Sequence, residues 1–452
     1  VRPDSDVGAG RDRVLDLTKS FALLVVVVAH ALAWDVSTGT PASILDLRPE
    51  LSWVTWLLQV LPLFFAAGAV SNLASWGRHH DPTTFWRRRV SRLATPAVLY
   101  ALVWSAVLLP VAVFFTPVEM VGRYLAQLLW FLGVYSAAVI AVPLTARWAG
   151  RPLLTLSLWL AVILAVDLVR WQVAPTVGWF NMLLVWAWLH QLGYSLPALR
   201  SRPTSALVTG GAFALALAVV VAAVGPYSTS MVSTAGDPGL SNLSPPTVVL
   251  ALYGLAQVLM LAALWPALER LMAWRPAWMA VAVFGSRAVE VYLWHIPLVG
   301  SVIAIAWISG WALGPLSGAW WALHVTVAAL VVPLAWWVAG PAGWAARRLA
   351  ERAAATPPGR GRRPQSPRHS GTLPACLVVS LSIMALSQTG VATWWGDGLL
   401  GMPMSTVVLV AALVGGWWVL VASAPGVGTH DVRGLSGGDV ADLPRGDTSV
   451  GQ

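Results

Sequence analysis

The chain is a succession of apolar runs broken by short basic or Pro/Gly-rich segments. The runs fall near 14–34, 53–74, 94–115, 124–146, 153–171, 177–197, 204–224, 247–268, 284–310 and 319–341. Two more lie near 373–390 and 404–423. Crossing a bilayer core takes about 20 apolar helical residues. A helix also satisfies its own backbone polar groups where no water can. The pattern predicts an all-α fold: a polytopic transmembrane helical bundle of about ten core helices plus two C-terminal helices.

Composition agrees. Of 452 residues, 58% are hydrophobic and 10% charged, against about 25% charged in soluble domains. The 28 Trp suit lipid-facing and interfacial positions. The net charge of +9 would suggest a nucleic-acid partner in a soluble chain. Here the basic residues sit between apolar runs, so topology accounts for them and no nucleic acid is expected. The single cysteine, Cys376, excludes a disulfide framework or a cysteine-based metal site within the chain.

Charge asymmetry sets the expected orientation, in a cytoplasmic membrane with the N-terminus inside. The inside segments then hold Arg2, Arg11, Arg13 and Lys19; Arg78, Arg87, Arg88, Arg89 and Arg92; Arg147 and Arg151; Arg200 and Arg202; Arg270 and Arg275; the arginines from Arg347 to Arg368; and Arg433 and Arg445. The outside loops hold Arg48, Arg123 and Arg170, and the loop 225–246 has no Lys or Arg. Ala31-Leu32-Ala33 resembles a signal-peptidase site, but the polar residues of this first run argue for its retention. The domains expected are a membrane core over 1–348, a Pro/Arg-rich cytoplasmic linker over 349–372, a two-helix appendage over 373–424 and a disordered tail over 425–452.

The first run, RDRVLDLTKSFALLVVVVAHALAW, carries the strongest candidate chemistry. Lys19 and His30 are 11 residues apart, which returns them to nearly one helix face about 16 Å apart along the axis. Lys19 then sits near the inner surface and His30 deep in the membrane. A neutral imidazole there can act as a general base, or it can be a buried histidine bonded to a neighbouring helix. Spacing alone does not separate the two.

Arg11, Asp16, Lys19 and His30 resemble the signature R-x(4)-D-x-x-[R/K]-x(10)-H of the family 3 membrane acyltransferases, which include sugar, O-antigen and peptidoglycan O-acetylases. Lys19, the only lysine, stands where the family usually has Arg, so the charge is kept without the bidentate fork. LPLFFAAGAVSN (61–72) and FWRRRVSRLATP (85–96) match further, the latter giving the R-x-x-R pair Arg89 and Arg92, flanked by Arg88. GSRAVEVYLWHIPLV (285–299) is similar to the family's YLWH-x-P segment through Tyr292, Trp294, His295 and Pro297. Glu290 departs from it, where a small or hydroxyl residue is expected. SNLSPPTVVLALYGLAQ (241–257) resembles a segment of actinobacterial-type members. The resemblance covers roughly residues 11–345.

It implies an integral membrane O-acyltransferase. The donor would be a cytoplasmic acyl-CoA, acetyl-CoA foremost, and the acceptor a hydroxyl of a glycan, cell-wall component or other small molecule, with no metal. His30, Asp16 and Lys19 would be catalytic. Arg88, Arg89, Arg92, Tyr292 and His295 would bind the donor, whose phosphates suit guanidinium groups. Read without the resemblance, RRR is better explained as an inside flank, and Arg287 can pair with Glu290 three residues on. Asn181, His190 and Gln191 read as helix–helix hydrogen bonds, Asp167 and Arg170 as an outer pair, His324 as a satisfied intramembrane histidine, and His79 and His80 as solvated. The rival class is a small-molecule transporter or exporter without acyl-transfer chemistry; a membrane scaffold would gain little from buried ionisable groups.

Overall fold

The computed structural model describes residues 12–234, 237, 239–355, 371–398 and 401–422. Arg11, most of the linker, the tail and the His79 side chain lie outside the described residues.

The apolar runs form the helices, most of them without a side-chain cap. Helix α1 (Arg13–Leu32) starts at Asp12, whose carboxylate accepts from the Val14 and Leu15 amides at 3.1 and 3.2 Å. Its 20 residues span about 30 Å, the thickness of a hydrocarbon core. Next come α2 (Leu61–His79) and α3 (Pro82–Ala112), then a short helix, Val118–Ala126, that leads into α4 (Leu129–Thr145). They are followed by α5 (Pro152–Gln172), α6 (Asn181–Gly193), α7 (Thr204–Val224) and α8 (Val248–Ala273). After α9 (Arg275–Gly285) and α10 (Ala288–Ile308) comes the 38-residue α11 (Gly318–Ala355), which at about 57 Å overshoots any bilayer core. The last helices are α12 (Thr372–Thr389) and α13 (Thr406–Ala422). Among the described residues, ten segments are long and apolar enough to cross a membrane, and α13 is a shorter apolar helix.

Four expected spans take another form. The run 53–74 breaks at Gln59–Val60, just before α2, and 124–146 breaks at Gln127–Leu128, just before α4. The run 177–197 divides into a 3₁₀ segment, Pro175–Phe180, and the 13-residue α6. Val185, Trp186, Trp188 and Leu189 of α6 are buried, so protein sheathes it and it need not match a bilayer by itself. The run 284–310 breaks at Ser286–Arg287, between α9 and α10.

Helix α1 runs through the middle of the bundle, against α2, α8, α9, α10 and α11. One end of the bundle is basic. There Arg13 donates to the Met272 carbonyl at 3.2 Å, and Arg200 bridges Asp12 (3.3 Å) and Glu269 (2.9 Å). At the other end, Asp167 accepts from Asn181 and from the Val248 amide, both at 2.8 Å, while Arg170 donates to the Pro245 carbonyl at 3.1 Å. Asp167 and Arg170 thus each hold loop or helix-end groups. His324 lies within 2.9 Å of the Trp34 carbonyl and 2.8 Å of the Trp320 carbonyl, stacked on the Trp320 ring.

Helices α12 and α13 pack into the bundle. The Ser380 hydroxyl donates to the Gly133 carbonyl at 2.7 Å, and a Cβ at Gly133 would fall 2.3 Å from the Met384 side chain. Trp417 donates to the Thr95 hydroxyl at 2.9 Å.

Helix α3 is capped by Asp81, which accepts from Thr84 N at 2.9 Å and from the Thr83 hydroxyl at 2.7 Å. Hydrogen bonds from Thr84, then Thr83, hold its carboxyl well below the usual carboxylate range. A depressed folded-state value means stability that is present at neutral pH and lost as the pH falls into the acid range. Asp81→Ala is expected to cost about 1 kcal/mol. In thermal unfolding of the detergent-solubilised protein, its gap to the parent chain should close below about pH 4.

Candidate active site

Helix geometry decides which nitrogens of the first-helix histidine are available. The Nδ1 of His30 lies 2.7 Å from the Val26 carbonyl, one turn back. A carbonyl only accepts, so Nδ1 carries the proton and Nε2 is left with a lone pair. His295, on α10, repeats this arrangement: its Nδ1 lies 3.2 Å from the Val291 carbonyl, and its buried Nε2 has no partner among the described residues. The two rings meet edge to face, with centroids 5.3 Å apart. Two helices far apart in sequence thus bring together two imidazoles in the base-competent tautomer.

Beside the pair is a narrow apolar cavity of about 50 Å³. Ala22, Leu23 and Val26 of α1 line it, with Phe131 and Tyr135 of α4 and Tyr292 of α10 among the facing residues. Val26 is one turn before His30. Leu93, another wall residue, adjoins Arg92. Tyr292 is fixed by its hydroxyl, which donates to the Leu128 carbonyl at 2.8 Å, and its ring lies 6.0 Å from that of His295.

Towards the basic end the arginines of α3 take over. Arg89 donates from Nη2 to the Ser71 carbonyl at 2.9 Å and lies within electrostatic reach of Tyr135, Arg92 and Arg78. Arg89 is half-buried, whereas Arg88 and Arg92 are exposed. Tyr135 is held by the Asn72 amide, which donates to its hydroxyl at 3.2 Å and also reaches Nε2 of His190 at 3.1 Å. The segment 61–72 supplies this contact because Gly68 has no side chain: a Cβ there would fall 2.3 Å from the Tyr135 hydroxyl.

The structure therefore brings His30, His295 and Tyr292 together, with Tyr292 in the cavity wall, while Arg89 lies within electrostatic reach of another wall residue, Tyr135, and Arg92 adjoins a third, Leu93. Asp16 and Lys19 pair with each other at 3.0 Å, about three turns from His30 along α1. Tyr135 emerges from the packing alone, since a lone tyrosine in an apolar run gives no periodic signal, whereas Asn72 closes the matched segment 61–72 and the packing adds its partners. Arg287 takes a course of its own. It donates to the Trp336 carbonyl at 3.0 Å and stacks on the Trp336 ring at 3.9 Å, and among the described residues no ion pair joins it to Glu290.

A family model described as an acyltransferase domain matches residues 12–339. No curated protein and no solved structure matches the chain.

Proposed function

The chain belongs to the acyltransferase 3 family and is a multi-pass membrane acyltransferase, and from that premise we infer that it moves an acyl group, acetyl foremost, from acyl-CoA to an acceptor hydroxyl on a glycan, cell-wall component or other small molecule. The observation that supports this reading is the edge-to-face His30–His295 pair, with His30 bonded through Nδ1 and His295 Nε2 unpartnered among the described residues, near an apolar cavity whose wall includes Leu93, the neighbour of Arg92. The basic end faces the cytoplasm in this reading, where the positive-inside rule places it and where CoA is found.

Arg89 and Arg92 grip the donor phosphates in charge-assisted hydrogen bonds. The pantetheine arm lies along the apolar walls and presents the thioester to the histidines. His30 takes the proton from the acceptor hydroxyl at Nε2 as the oxygen attacks the thioester carbonyl. A C–O bond forms. Collapse of the tetrahedral intermediate breaks the C–S bond, and the imidazolium returns its proton to the CoA thiolate. His295, as donor-side partner, lies against the reacting acyl group. Asp16 and Lys19 hold the inner end of α1 as a pair.

CoA binding tests the donor assignment. Thermal unfolding of the purified protein should shift upward with CoA, by about 2.7 kcal/mol at a concentration of 100 Kd. A transporter of an unrelated solute would show no shift, and that result would overturn the reading.

A further inference from the structure

Glu290 is the residue that departs from the YLWH-x-P pattern. It sits in the first turn of α10, just past the Ser286–Arg287 break, with Arg92, Arg287 and Arg347 in electrostatic reach. Three guanidinium groups lie around one carboxylate, and Arg89 and Arg78, within reach of each other, extend the positive charge along α3 and α2. The carboxylate approaches Arg347 across Gly343 of α11. A Cβ at Gly343 would stand 3.2 Å from Oε1 of Glu290 and 3.4 Å from Nη1 of Arg347. Yet among the described residues no ion pair within 4.0 Å ties Glu290 to any arginine. The carboxylate stands within the cluster without being latched to one partner.

We propose that Glu290 is an internal stand-in for the donor's phosphates: it neutralises Arg92 and Arg347 while the site is empty and gives them up when the phosphates arrive, so that Arg347 joins Arg89 and Arg92 in holding the donor. This rests on the acyl-CoA reading above. Packed guanidinium groups repel one another in a low-dielectric setting. One fixed negative charge relieves that repulsion in the empty protein. It then competes with the incoming anion, which sets the donor affinity below what the arginines alone would give. A purely structural Glu290, placed for the N-terminal dipole of α10, would have no such effect on donor binding.

The two roles predict opposite signs. CoA binding to the full-length purified protein would be measured by titration calorimetry for the parent chain, Glu290→Gln and Arg347→Ala, with thermal unfolding of each. Glu290→Gln is expected to bind CoA roughly tenfold more tightly, the order given by removing a nearby like charge at an effective dielectric near that of a protein surface. Arg347→Ala is expected to bind it more weakly by a similar factor. Pantetheine, which lacks the 3′-phosphate nucleotide part, should bind the parent and Glu290→Gln equally. If Glu290→Gln folds and binds CoA no more tightly than the parent, the stand-in role is overturned. If it fails to fold, unchanged CoA binding in Arg347→Ala overturns the proposal instead. A parent chain that binds no CoA overturns the acyl-CoA reading itself, and this proposal with it.

Discussion

His30→Ala is expected to lower kcat for acyl transfer roughly 10²- to 10⁴-fold, the usual worth of a positioned general base, while the donor KM stays near that of the parent. The split follows from position. His30 lies one turn beyond Val26, a residue of the cavity wall, and about three turns from Lys19, and among the described residues no hydrogen bond joins it to Arg89 or Arg92. Its own hydrogen bond runs to the Val26 carbonyl of the same helix, and Val26 keeps its helical partner when the ring is removed. The fold therefore loses little, and the loss of rate reports chemistry. His30→Gln, which restores bulk and a polar tip without a base of suitable strength, should remain slow. Steady-state transfer of a labelled acetyl group by the purified variants is the measurement. Turnover at the parental rate in His30→Ala would remove this residue from the mechanism.

Arg89→Ala is expected to act on binding. A hydrogen bond to a charged group is worth about 1.5–3 kcal/mol, so the donor KM should rise by about 10- to 100-fold with a smaller change in kcat. Arg89→Lys should recover part of the loss, because it keeps the charge but not the planar fork. Arg88, exposed one residue earlier, is turned about 100° around the helix and should contribute long-range charge alone. Its replacement by alanine should move KM less. The Arg89 side chain also holds the Ser71 carbonyl of α2, so thermal unfolding of each variant separates lost affinity from lost packing. An unchanged KM in a stably folded Arg89→Ala would end the phosphate-binding role.

The membrane spans were legible because hydrocarbon imposes a length and a composition that few other environments demand. Where the reading and the structure part, protein has replaced lipid as the surroundings. Helix α6 is short because its neighbours cover it, and hydropathy cannot tell a neighbouring helix from a lipid tail. The break before α10 was visible as Gly285-Ser286-Arg287, three residues that read as easily as an inner flank. What the sequence could not show was that Arg287 finds a carbonyl and an indole ring on α11 and so can stop short of the surface. The meeting of His30 with His295 was equally hidden. Each stands alone in its run, and their separation of 265 positions carries no periodicity. Only the resemblance to a known family drew the two segments into one expectation, and the helix packing supplies the 5.3 Å between their rings.

The seam at Gly133 extends the reach of the site. Tyr135, a wall of the cavity, stands two residues beyond it on α4, and α12 presses Ser380 and Met384 against that glycine. The matched family segment ends at residue 339 and α12 begins at Thr372. A helix outside the matched segment is thus packed against the helix that carries a wall of the cavity. A change of side-chain volume on the inner face of α12 would bear on the shape of that cavity although α12 lines none of it.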